Sequence, residues 1–142
     1  MTSAELLNNA FLFFAACEGN KGWEACETYV VSAEAPFESQ AEALKDYKTI
    51  KDYTEWVKGF SVFCPGCSFD LHVKSFDETT QTAIFFGTYH AKHTADGGPC
   101  EPTNKELHSE YVYIIKMNAD GKIESMKKVW NDTWALKEVG WM

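Results

Sequence analysis

The chain has no arginine: all thirteen basic residues are lysines. It therefore lacks the planar guanidinium fork that recognises phosphate and carboxylate through two parallel hydrogen bonds. A formal net charge of −8 points the same way and excludes nucleic acid as a natural partner. Long apolar runs are also missing. The longest, "AFLFFAAC", is too short to cross a bilayer, follows Glu5 rather than a basic segment and precedes no cleavage site. The expectation is a soluble, cytoplasmic protein without a membrane partner. No Pro/Ser-rich linker, repeat or low-complexity block divides the 142 residues, so a single domain, 1–142, is expected. Its five cysteines are an odd number in a chain large enough to fold without staples, which suits buried thiols in a reducing compartment.

What is present is aromatic. Hydrophobic residues make up 45 % of the chain and aromatic residues 15 %, enough to fill a core and line a cavity as well. Thr2 with Glu5 forms a capping box, and Leu6, Leu7, Ala10, Phe11, Phe14 and Cys17 then recur at helical spacing. A short second helix follows, with Trp23, Cys26 and Val30 on one side. Ser39 with Glu42 caps a further turn, and Thr49 with Asp52 starts a third helix that carries Tyr53, Trp56, Val57 and Phe60 on one face. After "CPGC" the period changes to two, with Phe69, Leu71 and Val73 opposite Asp70, His72 and Lys74. Three more aromatic and β-branched runs follow, the last two joined by the Asp-Gly turn signal of "NADGK". Helices first and long strands after them predict an α+β fold, with the helices on one face of a mostly antiparallel sheet.

This order, with Gly87, Thr88 and Tyr89 on one strand, the Pro102 to Lys105 turn, the Asp120 to Ile123 hairpin and Val139 with Gly140 near the end, resembles the nuclear transport factor two-like superfamily. Within it, the SnoaL-like polyketide cyclases and ketosteroid-isomerase-like proteins are the most similar group. The resemblance spans nearly the whole chain. It implies a cone-shaped α+β barrel, a strongly curved sheet with the N-terminal helices on its concave face, an apolar pocket, and a homodimer through the outer sheet face. Its members include isomerases, cyclases, dehydratases and proteins that only bind partners, so fold alone cannot select the reaction.

Cyclases of this type carry an acid/base aspartate on the last strand, and counting from Ile123 or back from Gly140 lands on Asn131. Strict alternation puts Asn131 on one face with Ile123, Ser125, Lys127 and Val129, and Asp132 on the other with Met126, Lys128, Trp130 and Trp134. The reading is Asn131 inward and Asp132 outward. A bulge would reverse it. Met126, Trp130 and Trp134 would then be an exposed apolar patch for the dimer. His90 is the first choice for a catalytic imidazole, ahead of His108 and His72, with His93 in a solvated loop. Tyr29, Tyr53, Trp56, Tyr89 and Tyr113 are candidate ligand-binding residues, each able to pack and to donate a hydrogen bond, although the same spacings also describe ordinary core. Cys64 and Cys67 supply two possible metal ligands with no second pair, and a Pro-Gly turn with structural thiols is the default, so no metal and no cofactor are expected. Epoxide hydrolysis of the superfamily's kind relies on an arginine that this chain lacks.

The sequence thus points to a pocket for a small apolar carbonyl compound, with isomerase, cyclase or dehydratase chemistry by proton transfer. The alternative from another class is a non-catalytic ligand-binding or dimeric adaptor protein of the same fold.

Overall fold

A computed structural model describes residues 1–142. The first helix, α1 (Ser3–Glu18), begins where expected: the Thr2 side chain accepts from the Glu5 amide while the Glu5 carboxylate accepts from the Thr2 amide. Its buried stripe is Leu6, Ala10, Phe13, Phe14 and Cys17, and it continues to Glu18. A one-turn helix α2 (Trp23–Cys26) and a 3-10 turn follow. Strand β1 (Phe37–Ser39) starts directly after Pro36, which lacks an amide to donate, and lies at a sheet edge. Helix α3 (Ile50–Phe63) is capped by the Thr49 hydroxyl, which accepts from the Asp52 amide.

The long strands are β2 (Ser68–Asp77), β3 (Thr82–Lys92), β4 (Glu106–Met117) and β5 (Ile123–Trp130), followed by helix α4 (Asp132–Glu138). They form an open five-stranded sheet in the order β1-β5-β4-β3-β2, antiparallel except for the β1–β5 pair. The fold is α+β, a cone-like sheet that does not close into a barrel. At the β4–β5 turn the Asn118 side chain accepts from the Asp120 and Lys122 amides, and Gly121 takes a φ of 82°. That left-handed conformation is what requires glycine; the Met1 thioether that a Cβ would meet at 2.4 Å is the end of an exposed side chain that can move aside.

Two bulges decide which side chains face inward. On β2, His72 is an extra residue between the pairs Leu71–Gly87 and Val73–Phe86, so Val73 turns to the outer face and is 51 % exposed. On β5, Glu124 is an extra residue between the pairs Met117–Ile123 and Lys116–Ser125. One inserted residue moves every later side chain to the opposite face. Ile123, Met126, Lys128 and Trp130 therefore all point inward, whereas strict alternation puts Ile123 on the other side from the last three. The expected apolar patch of Met126, Trp130 and Trp134 is not a surface feature: Met126 is buried, Trp130 is half-buried, and only Trp134 is exposed, on α4. Aromatic stacking ties α1 to the inner sheet face, with Phe14 parallel to Phe85 at 4.9 Å and edge-on to Tyr113 at 5.3 Å. Phe60, Cys64, Ala91, Leu107, Ala135 and Val139 form a smaller cluster beneath α4.

Candidate functional site

Between the main core and that smaller cluster lies a cavity of about 50 Å³, lined almost entirely by apolar side chains. Helix α3 contributes Tyr53, Trp56 and Phe60, the sheet contributes Tyr89, Ser109, Tyr111, Lys128 and Trp130, and the C-terminal segment covers it with Leu136 and Trp141. The last residue of α1, Glu18, closes the far wall. Glu18 and Lys128 are the two charge-bearing residues of the lining, and both are buried, at 3 % and 7 % exposure.

Five aromatic rings surround the Lys128 Nζ. Trp130 lies nearest, at 4.4 Å from its centroid, then Tyr53 at 5.1, Tyr111 at 5.2, Trp56 at 5.5 and Tyr113 at 5.9 Å. Ring faces attract the cation, but they do not replace its lost water. Burial pushes the ammonium down to about 8, against the opposing pull of Glu18 and Cys17. Burial likewise raises the Glu18 carboxyl above its ordinary value, although Lys128 and then the Tyr113 and Tyr111 hydroxyls oppose the shift. Glu18 accepts a hydrogen bond from Tyr113, whose hydroxyl also lies 2.5 Å from that of Tyr53. Carboxyl and phenols form a buried chain.

The Tyr111 hydroxyl is held in its neutral form first by burial and then by the neighbouring Glu18; it lies beside that carboxyl without the distance and angle of a completed hydrogen bond. Such an orphaned donor is costly unless something else meets it. Gly87 makes room for it: a Cβ there would stand 3.1 Å from the hydroxyl oxygen and 2.8 Å from the Asp70 carbonyl. Trp130 is fixed by its Nε1, which donates to Ser109 Oγ at 2.6 Å. An amine near its titration point, a carboxyl biased toward its neutral form and a free phenol can together give and take protons in water-poor surroundings.

The sequence candidates divide. Tyr53, Trp56 and Tyr89 line the cavity; Tyr113 stands one layer behind it, and Tyr29 packs elsewhere against the core. Asn131 and Asp132 do not line it, and their expected directions are reversed. Asn131 is exposed and caps α4, its Oδ1 accepting from the Trp134 amide at 3.1 Å. Asp132 is buried, and its Oδ2 accepts from the Ala43 amide at 2.9 Å. His90 lies on the outer sheet face, because it directly follows inward-facing Tyr89. There its Nδ1 is 2.8 Å from Nδ1 of His108 and its Nε2 is 2.8 Å from Asp70. His72 also points outward, 2.7 Å from Thr88 Oγ1. His93 is fully buried rather than solvated, its Nδ1 accepting from Trp141 Nε1 at 2.9 Å. None of these imidazoles reaches the cavity. Burial pushes the Cys64 thiol up to about 12, which makes it a poor nucleophile.

Sequence reasoning missed Glu18 and Lys128. The signal for Glu18 was present, since it falls four residues after Phe14 in the buried stripe of α1. Lys128 was hidden behind the bulge at Glu124.

No family profile and no curated protein matches the chain by sequence. Solved structures match it closely in shape. The proposed hydroxylase AclR of Streptomyces galilaeus aligns with a TM-score of 0.76 at 17 % identity, covering 99 % of this chain and 84 % of that one. A proposed SnoaL-like polyketide cyclase of Jannaschia sp. aligns at 0.75 and 9 % identity, covering 96 % and 92 %. The fold is SnoaL-like, of the nuclear transport factor two-like kind. A protein of Catenulispora acidiphila described as having a ketosteroid isomerase-like fold, in complex with trimethylamine, aligns at a TM-score of 0.67 and 11 % identity, covering 93 % and 92 %. At such identities the SnoaL-like likeness speaks for the fold and leaves the chemistry to the cavity.

Proposed function

We propose that this protein takes a small, uncharged or weakly anionic apolar carbonyl compound into the aromatic cavity and transfers a proton on it, as an isomerase, cyclase or dehydratase would. The observation that carries the reading is the pairing of Glu18 and Lys128 on an otherwise apolar wall. Lys128 is the base, Glu18 the acid, and the unpartnered Tyr111 hydroxyl donates to the carbonyl oxygen as negative charge develops there. Losing one such donor typically costs ~3 kcal/mol of transition-state stabilisation. The absence of arginine fits a ligand without a strongly charged group.

Phenylacetone tests this reading, because it is apolar and its α-protons exchange with solvent only when a base removes them. In heavy water, NMR should show enzyme-accelerated deuterium wash-in, and the tryptophans lining the cavity should report saturable quenching. Glu18→Gln should slow the exchange by about 100-fold, the lower end expected for a general acid or base. Quenching without exchange would favour the binding protein over the enzyme, and the absence of both would remove the ligand site altogether.

We also propose a homodimer through the outer sheet face. Support comes from a row of apolar residues across four strands, Val73, Phe86, Val112 and Val129 in register, flanked by the pair Ile84 and Ile114.

A further inference from the structure

We propose that Lys128 is a nucleophile, whose Nζ condenses with the carbonyl carbon of an aldehyde or ketone in the cavity to form a protonated imine. The proposal rests on the carbonyl-binding reading and adds a covalent step to it. Three features of the site favour that step.

A lysine attacks only as the free amine. Lys128 has lost its water shell to five aromatic rings and gains no close ion pair, since Glu18 spends its hydrogen bond on Tyr113. Its lowering to about 8 leaves about a tenth of it as free amine at neutral pH, far more than a solvated lysine offers. Desolvation in an apolar pocket is a recurrent way of activating a lysine for carbonyl chemistry.

The balance of the step also suits the residues present. Nitrogen attacks carbon, a C–N bond forms, the C=O π pair moves to oxygen, and a proton passes from nitrogen to that oxygen to give a carbinolamine. A second proton, from Glu18 or the Tyr111 hydroxyl, then reaches the hydroxyl group. The C–O bond breaks, water leaves, and the nitrogen lone pair closes the C=N bond. No redox partner is needed.

The product is a cation at the same nitrogen. The rings that surround the ammonium at 4.4 to 5.9 Å therefore also surround the iminium. A cage of π faces holds both the resting ammonium and the covalent intermediate. The iminium in turn withdraws electrons from the neighbouring carbon and acidifies its protons. With Nζ then bonded to carbon, the Glu18 carboxylate left after its proton has gone to the departing water is the group that takes one, in place of the free Lys128 amine.

Benzaldehyde is a suitable probe because it has no α-protons, so imine formation is separated from enolisation. The protein is incubated with benzaldehyde and cyanoborohydride at pH 7, and the benzyl adducts are mapped by peptide mass spectrometry while cavity tryptophan fluorescence reports binding. Lys128 should be alkylated at least about tenfold faster than any of the other twelve lysines, following its larger fraction of free amine. Lys128→Met should remove the fast adduct, and mapping of the parent chain decides the matter even if that variant does not fold. Saturable quenching with Lys128 labelled no faster than surface lysines overturns the covalent step and leaves the carbonyl-binding reading standing. No quenching and no selective adduct overturns both.

Discussion

A buried lysine is an unusual residue to hold in an aromatic cage, and its cost can be measured. Lys128 is lowered from 10.5 to about 8, so between those values the unfolded chain binds more protons than the folded one. Stability contributed by this group is therefore lowest below pH 8 and rises as pH climbs toward 10.5. The lowering corresponds to roughly 3 kcal/mol. Cys17 and Cys64, raised by burial, and the raised tyrosines act in the opposite direction at alkaline pH, so the profile of the parent alone mixes several groups. Comparison with Lys128→Met cancels them. Methionine is one atom shorter, unbranched and uncharged, and at pH 7 the variant should be more stable than the parent by about 2 to 3 kcal/mol. Its advantage should shrink through pH 8 to 10.5 in urea denaturation. An advantage that stays constant with pH would show that the ammonium is not desolvated in the native state.

At the scale of elements, most of the fold was legible. Of the three expected caps, Ser39 does not cap the turn at Glu42: its Oγ accepts from the Ala41 amide and donates to the Lys128 carbonyl. The other two, at Thr2 and Thr49, occur as read, because a hydroxyl three residues before an amide needs no tertiary help. The four long strands and the "NADGK" turn were legible for the same reason. The direction of β5 was not, since a bulge is set by how Glu124 is accommodated against β4 and leaves no composition mark. A single unpaired residue thus exchanged the inward and outward sets from Met126 onward and, with them, the expected site. Asn131 and Asp132 also lie past the strand, where alternation no longer applies: one caps α4, and the other binds the Ala43 amide. Asn131→Ala should therefore cost about 1 kcal/mol, the usual loss for an N-cap, and leave phenylacetone exchange unchanged. Asp132→Ala removes the acceptor of the Ala43 amide, in a residue that is itself exposed, and should cost about 0.5 to 1.5 kcal/mol, the usual loss for one hydrogen bond. Loss of exchange in Asn131→Ala at unchanged stability would restore the amide to the site.

At the scale of the whole molecule, the outer sheet face is what remains unpartnered. The row from Val73 to Val129 places four apolar side chains side by side on neighbouring strands, with Val73 and Val129 each more than half exposed. Contiguous apolar surface of this kind is rare on a monomer and is usually covered. A second copy is the proposed cover, because a twofold axis lets the same apolar row of two protomers pack against itself. The inner bulge on β5 and the outer row are linked: the insertion that turns Lys128 inward also leaves Val129 outward, beside Val112. Each protomer carries a net charge of −8, so bringing two together concentrates like charge and opposes association at low salt. Sedimentation at tens of micromolar, roughly where a standard-size interface holds, should find a dimer that tightens as salt rises. Phe86→Glu should dissociate it, because Phe86 lies between Val73 and Val112 in the centre of the row while its side chain points away from the cavity. The resulting monomer should still quench with phenylacetone. A parent that sediments as a monomer at all salt concentrations would leave the apolar row without a partner of its own kind, and a Phe86→Glu monomer that lost ligand binding would mean that the cavity is held in shape by the second copy.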